Sequence, residues 1–101
     1  MANVTKRIEN DTLYFELSGR VDTSNANQVD QAIQSIKSEN SASNYIVDAA
    51  QLEFISSAGL RVILKAQKIM NTQGSMKLIN VCDGIMEVFD ITGFLDILTI
   101  E

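Results

Sequence analysis

Two adjacent hydroxyls, Ser56 and Ser57, are the side chains in this sequence best placed to do chemistry. They open the run Ser56-Ser57-Ala58-Gly59-Leu60, small residues followed by a long apolar helical pattern. The first-turn N–H groups of a helix lack intrahelical partners. An anion placed there also meets the positive end of the helix dipole. A plain cap is the simplest use of Ser57, worth about 1 kcal/mol, with Ser56 as the alternative cap one residue earlier. A Ser57–Lys65 dyad is conceivable but disfavoured by spacing, because Lys65 lies two helical turns on, about 12 Å by rise per residue.

Other chemistry is largely ruled out by what the chain lacks. It has no histidine, the commonest general base and metal ligand. A single cysteine, Cys82, allows neither a zinc set nor a disulfide. No glycine-rich loop ends in Lys-Ser/Thr, so no Walker-type phosphate cradle is present. The carboxylates are scattered, with Asp48 and Glu53 nearest the serines in sequence. These absences point to a binding protein without cofactor or metal rather than an enzyme.

The elements that must position the serines follow from hydrophobic periodicity. Leu13, Phe15 and Leu17 alternate with polar residues as in a half-buried strand. Val4 and Ile8 mark an earlier strand, joined to it through a turn at Glu9-Asn10-Asp11. Beyond Gly19, Asp22 to Asn25 supply helix caps, and Ala26, Val29, Ala32, Ile33 and Ile36 recur at helical spacing. A polar loop, Glu39 to Asn44, separates that helix from Tyr45-Ile46-Val47, a run suited to a strand covered on both faces. Gln51 to Ser56 reads as a connector, and a helix extends from Ser57 to about Gln73 with Gly74 as its C-terminal cap. Met76, Leu78 and Val81 mark a further strand, Asp83 to Asp90 a short helix ended by Gly93, and Ile97 to Ile100 a closing strand. The predicted order is β-β-α-β-α-β-α-β, an α/β fold with a mixed, mostly parallel sheet and helices packed on it.

Length and composition bound the rest. The 101 residues, 46% apolar, make one domain with a single core over 1–101. The opening residues carry no signal-peptide pattern, and no apolar run approaches the ~18 residues of a membrane span. A lone thiol fits a reducing compartment. Together these predict a cytoplasmic protein without membrane insertion. The net charge of −5 argues against direct nucleic-acid binding, which draws its affinity from phosphate neutralisation.

The segment Phe54-Ile55-Ser56-Ser57-Ala58-Gly59-Leu60, following a strand that reaches Asp48, resembles the core of the STAS domain family. The likeness is to the bacterial anti-sigma factor antagonists in particular. It extends over nearly the whole chain, through Gly19-Arg20-Val21-Asp22 at the turn into the first helix and Gly93-Phe94 near the end. The resemblance implies that Ser57 is phosphorylated by an anti-sigma factor that is also a serine kinase. It further implies that the unphosphorylated form binds that kinase and frees a sigma factor for transcription, and that a serine phosphatase resets the switch. Many members carry an acid immediately before the phosphoserine, where this chain has Ser56, and a small residue where it has Arg61. Ser56 is therefore a second candidate phosphosite.

The expected partner-binding residues are Asp22, Ser56, Ser57, Ala58, Gly59, Leu60, Arg61, Lys65 and Lys68. Arg61, Lys65 and Lys68 fall at i, i+4 and i+7, placing three of eight basic residues on one helix face. Such a stripe either is an ordinary solvated face or guides an acidic partner. Val62, Ala66 and Ile69 are expected in the core, Met86 and Phe89 there in preference to lining a partner groove, and Cys82 as a small buried hydrophobe. Asp22 and Asp48 are candidates for positioning the serine loop or a kinase-bound metal, or serve as cap and strand-end residues. The competing functions are a constitutive STAS scaffold of a transporter or multiprotein sensor, and a small anion-binding enzyme.

Overall fold

The computed structural model describes residues 3–39, 42–72, 74–93 and 98–101. Its elements are β1 (Asn3–Glu9), β2 (Thr12–Val21), α1 (Ala26–Glu39), β3 (Asn44–Ile55), α2 (Ser57–Asn71), β4 (Ser75–Ile79) and α3 (Asp83–Thr92). The sheet order is β1-β2-β3-β4. β1 and β2 form an antiparallel hairpin, turned at Asn10 with φ of 55°. β2–β3 and β3–β4 are parallel pairs, each requiring the intervening helix as its crossover. The mixed α/β architecture is the one the periodicity predicts.

The core is built on alternation. Leu13, Phe15 and Leu17 of β2 meet Tyr45, Val47 and Ala49 of β3 and Met76 and Leu78 of β4, all buried. Val29 and Ile33 of α1 join that cluster. So do Leu60, Val62, Ile63, Ala66 and Met70 of α2, and Ile85 and Phe89 of α3. Helices therefore supply the second layer over one face of the sheet. No helix among the described residues is long and apolar enough to cross a membrane.

Several local expectations are corrected. Gln51 to Ile55 is not a connector: β3 runs on through it, paired with Ser18 to Val21 of β2. Register shifts between Glu16 and Ser18 and between Gly19 and Arg20 interrupt this pairing. Buried residues consequently fall at Ala49, Leu52 and Ile55, every third position instead of every second. Asp48 is thus a mid-strand residue. Its Oδ1 accepts bonds from the Ala50 amide and from Asn80 Nδ2, both at 3.0 Å.

Gly74 does not cap α2 in a left-handed conformation; the helix closes at Thr72. A Cβ at Gly74 would collide with the Ser43 carbonyl, so close backbone approach is what requires glycine there. Val81 lies beyond β4, after the left-handed Asn80. Cys82 is exposed at the start of α3, where an N-cap position faces water. Ile69 is half-buried because it flanks the exposed edge of α2, and Met86 is also half-buried while Phe89 is 1% exposed.

Gly93 ends α3 as expected, at φ of 78°. Among the described residues, the closing strand is a parallel bridge between Ile100 and Leu78. Ile97 and Phe94 lie outside the described residues.

Candidate functional site

β2 and β3 end side by side, and their last parallel contact fixes the start of α2. The Ser56 amide donates to the Val21 carbonyl at 2.9 Å. Ser56 itself, extended at φ of −91°, is the N-cap: its Oγ accepts from the Gly59 amide at 3.4 Å, and its carbonyl accepts from the Leu60 amide at 2.9 Å. The cap is thus one residue before Ser57. Ser57 is the first helical residue; it is exposed, and its hydroxyl makes no hydrogen bond among the described residues.

Gly59 and Leu60 hold this helix start down on the sheet. Leu60 is 1% exposed, and Ala58 packs partly against the core. A Cβ built on Gly59 would stand 2.7 Å from Ile55 Cγ1 and 2.8 Å from Val21 Cγ1. Only the absence of a side chain lets α2 approach the two strand ends this closely. The run of small residues therefore serves packing underneath and leaves one hydroxyl facing outward.

Asp22 follows directly on Val21, beside this junction. Ser24 Oγ donates to Asp22 Oδ1 at 2.6 Å and the Ser24 amide to the same oxygen at 2.9 Å. These bonds, with Arg20 nearby, hold the Asp22 carboxyl below the usual carboxylate range, so it is charged near neutrality. Asn25 completes the turn, its Oδ1 accepting from the Asp22 amide and its Nδ2 donating to the Arg20 carbonyl. Next to it, the Arg20 guanidinium lies 4.4 Å from the centroid of the half-exposed Phe54 ring. The roles of Asn25 and of the Arg20–Phe54 stack are visible only once β2 and β3 are paired to their ends. The hint in the sequence is the Asx-rich stretch Asp22 to Asn25, which suits local backbone capping.

Asp22 and the segment Ser56 to Leu60 are therefore brought together. Asp48 is not among them, because six strand residues separate it from Ile55. Arg61, Lys65 and Lys68 run down the outer face of α2, exposed, with Leu64 and Ile69 between them lining a shallow groove. Lys65 Nζ bonds to Asp30 Oδ2 of α1 at 2.9 Å. No group of three or more His, Cys, Asp or Glu among the described residues could hold a metal ion.

Comparison with known proteins places this geometry. BtrV of Bordetella bronchiseptica, provisionally named an anti-sigma factor antagonist, is 39% identical over 84 residues, covering 80% of this chain and 70% of BtrV. The crystal structure of an anti-sigma factor antagonist from Mycobacterium paratuberculosis superposes with a TM-score of 0.87 at 15% identity, over 99% of this chain and 85% of that one. Bacillus SpoIIAA in its phosphorylated form superposes at 0.70 with 18% identity, over 98% of this chain and 91% of that one. The STAS domain family model matches residues 3–101. The chain belongs to the STAS domain family, as a non-enzymatic regulatory protein of the anti-sigma factor antagonist type.

Proposed function

We propose that this chain binds an anti-sigma factor with serine kinase activity when Ser57 is unmodified. Phosphorylation of Ser57 by that partner then ends the interaction, and a serine phosphatase restores it. Release of a sigma factor on binding would make the chain a regulator of transcription. The ATP-dependent partner locates the exchange in the cytoplasm. The observation that carries the reading is the Ser57 hydroxyl, exposed and unbonded at the first position of a 15-residue helix whose start is fastened to two strands.

The physics suits a switch in binding without unfolding. A phosphate adds about −1.5 to −2 charges and three acceptor oxygens. At a helix N-terminus the dipole and the free N–H groups favour that charge, so the fold tolerates it. A partner surface pressed onto Ser57 is not indifferent: burying an unmatched dianion costs several kcal/mol, and about 4 kcal/mol is already a thousandfold in affinity. Ser56 is a poorer acceptor, since its Oγ is engaged with the Gly59 amide and its removal would uncap the helix.

Incubation with the kinase and ATP should add one phosphate, mapped to Ser57 by mass spectrometry and absent in Ser57→Ala. Ser57→Asp should weaken partner binding by about tenfold or more, near 1.4 kcal/mol, while leaving the circular dichroism spectrum unchanged. Phosphate retained by Ser57→Ala would move the site to Ser56. Equal partner affinity for wild type and Ser57→Asp would instead favour a constitutive scaffold.

A further inference from the structure

The outer face of α2 has a counterpart on α3. Along α2, exposed Arg61, Lys65 and Lys68 stand at i, i+4 and i+7, with Ile69 at i+8 at the edge of the Leu64–Ile69 groove. Along α3, exposed Asp83, Glu87 and Asp90 stand at the same three spacings, with Ile91 at i+8 and 84% exposed. One stripe is wholly basic and the other wholly acidic. Arg61, Lys68, Asp83, Glu87 and Asp90 make no ion pair among the described residues, and Lys65 is paired with Asp30 while remaining 54% exposed.

We infer that the α2 groove is an interface for a second copy of this chain, which presents its α3. Laid parallel, the helices set Arg61 against Asp83, Lys65 against Glu87 and Lys68 against Asp90, and bring Ile91 to the apolar groove beside Ile69. The charge complementarity selects the occupant: this protein is acidic overall, and α3 displays its acids in the phase that α2 displays its bases. The two surfaces differ, so copies either pair reciprocally about a two-fold axis, each α2 on the other's α3, or continue head-to-tail into a ring or filament. Two helix faces bury less than the ~1,200 Å² of standard complexes. Association is therefore weak, concentration-dependent and sensitive to salt, because exposed ion pairs are screened. This inference stands independently of the phospho-switch, although a copy seated on α2 would cover the flank of the Ser57 site.

A charge-swap pair tests it. Arg61→Glu/Lys68→Glu makes both helices acidic, and Glu87→Lys/Asp90→Lys makes both basic on these faces. In sedimentation velocity at about 50 mM salt, wild type should show a weight-average mass that rises with concentration, returning to monomer near 0.5 M. Each double variant alone should stay monomeric, and their equimolar mixture should associate again. Folding defects cannot produce that rescue. A wild type that stays monomeric at millimolar concentration, or a mixture no more associated than its components while wild type self-associates, overturns the inference. So does a double variant that associates as wild type does.

Discussion

At the scale of single residues, the site depends on what two neighbours do differently. Ser56 bends back to cap the helix, and Ser57, one step on, is left facing water. The pair was legible in the sequence as a helix opening, but either hydroxyl can cap, and only the Val21–Ser56 bond decides between them. Gly59 is the residue beneath that decision. Gly59→Ala should push Ile55 and Val21 aside and cost about 1–3 kcal/mol, as overpacking does. A lower urea midpoint with an unchanged slope would show this, and a smaller loss would mean that the strand ends yield easily. Cysteine is among the most buried residue types, a preference that carries no information about a cap facing solvent, which is where Cys82 stands.

At the scale of elements, the three helices and the β1–β2 hairpin were readable because their periods are clean. The far half of β3 was not. Its two register irregularities place Ala49, Leu52 and Ile55 three apart, a spacing that imitates neither a regular strand nor a helix. The closing strand differs for the opposite reason: Leu98 and Ile100 are apolar enough for a strand, yet among the described residues the pairing is one bridge on β4. That tail is secured by Gln67, 1% exposed, whose Nε2 donates to the Met76 carbonyl at 3.0 Å and whose Oε1 accepts from the Thr99 amide at 3.2 Å. Gln67→Leu leaves the buried Met76 carbonyl and the part-buried Thr99 amide without these partners and should cost about 1–3 kcal/mol. The Thr99 amide should then exchange hydrogen faster than in wild type, whereas amides of β2 should lose protection only in step with global stability.

At the scale of the whole molecule, a net charge of −5 is unevenly spread, and one face of α2 carries three of the eight basic residues and no acid. Such a patch governs encounter more than final affinity. Arg61→Glu/Lys68→Glu should slow association with an acidic partner by about tenfold at low ionic strength. The deficit should shrink as salt is added, while the dissociation rate changes little. Stopped-flow traces showing a salt-independent deficit would assign the two residues to the bound contact instead.

One asymmetry of the sheet reaches further. β4 ends at Ile79, level with Asp48, so the last seven residues of β3 project past it with β2 as their ladder neighbour. The platform under Ser57 is in effect a cantilever, rooted in the hairpin side of the chain and joined to the other flank through α2, whose Gln67 bonds to β4 and the tail. Substitutions on the outward faces of β4, α3 and the tail can accumulate without tilting the hydroxyl, provided the contacts with α2, such as those of Gln67, are kept. A single architecture can thereby diversify one flank for new associates while the signalling corner keeps its shape.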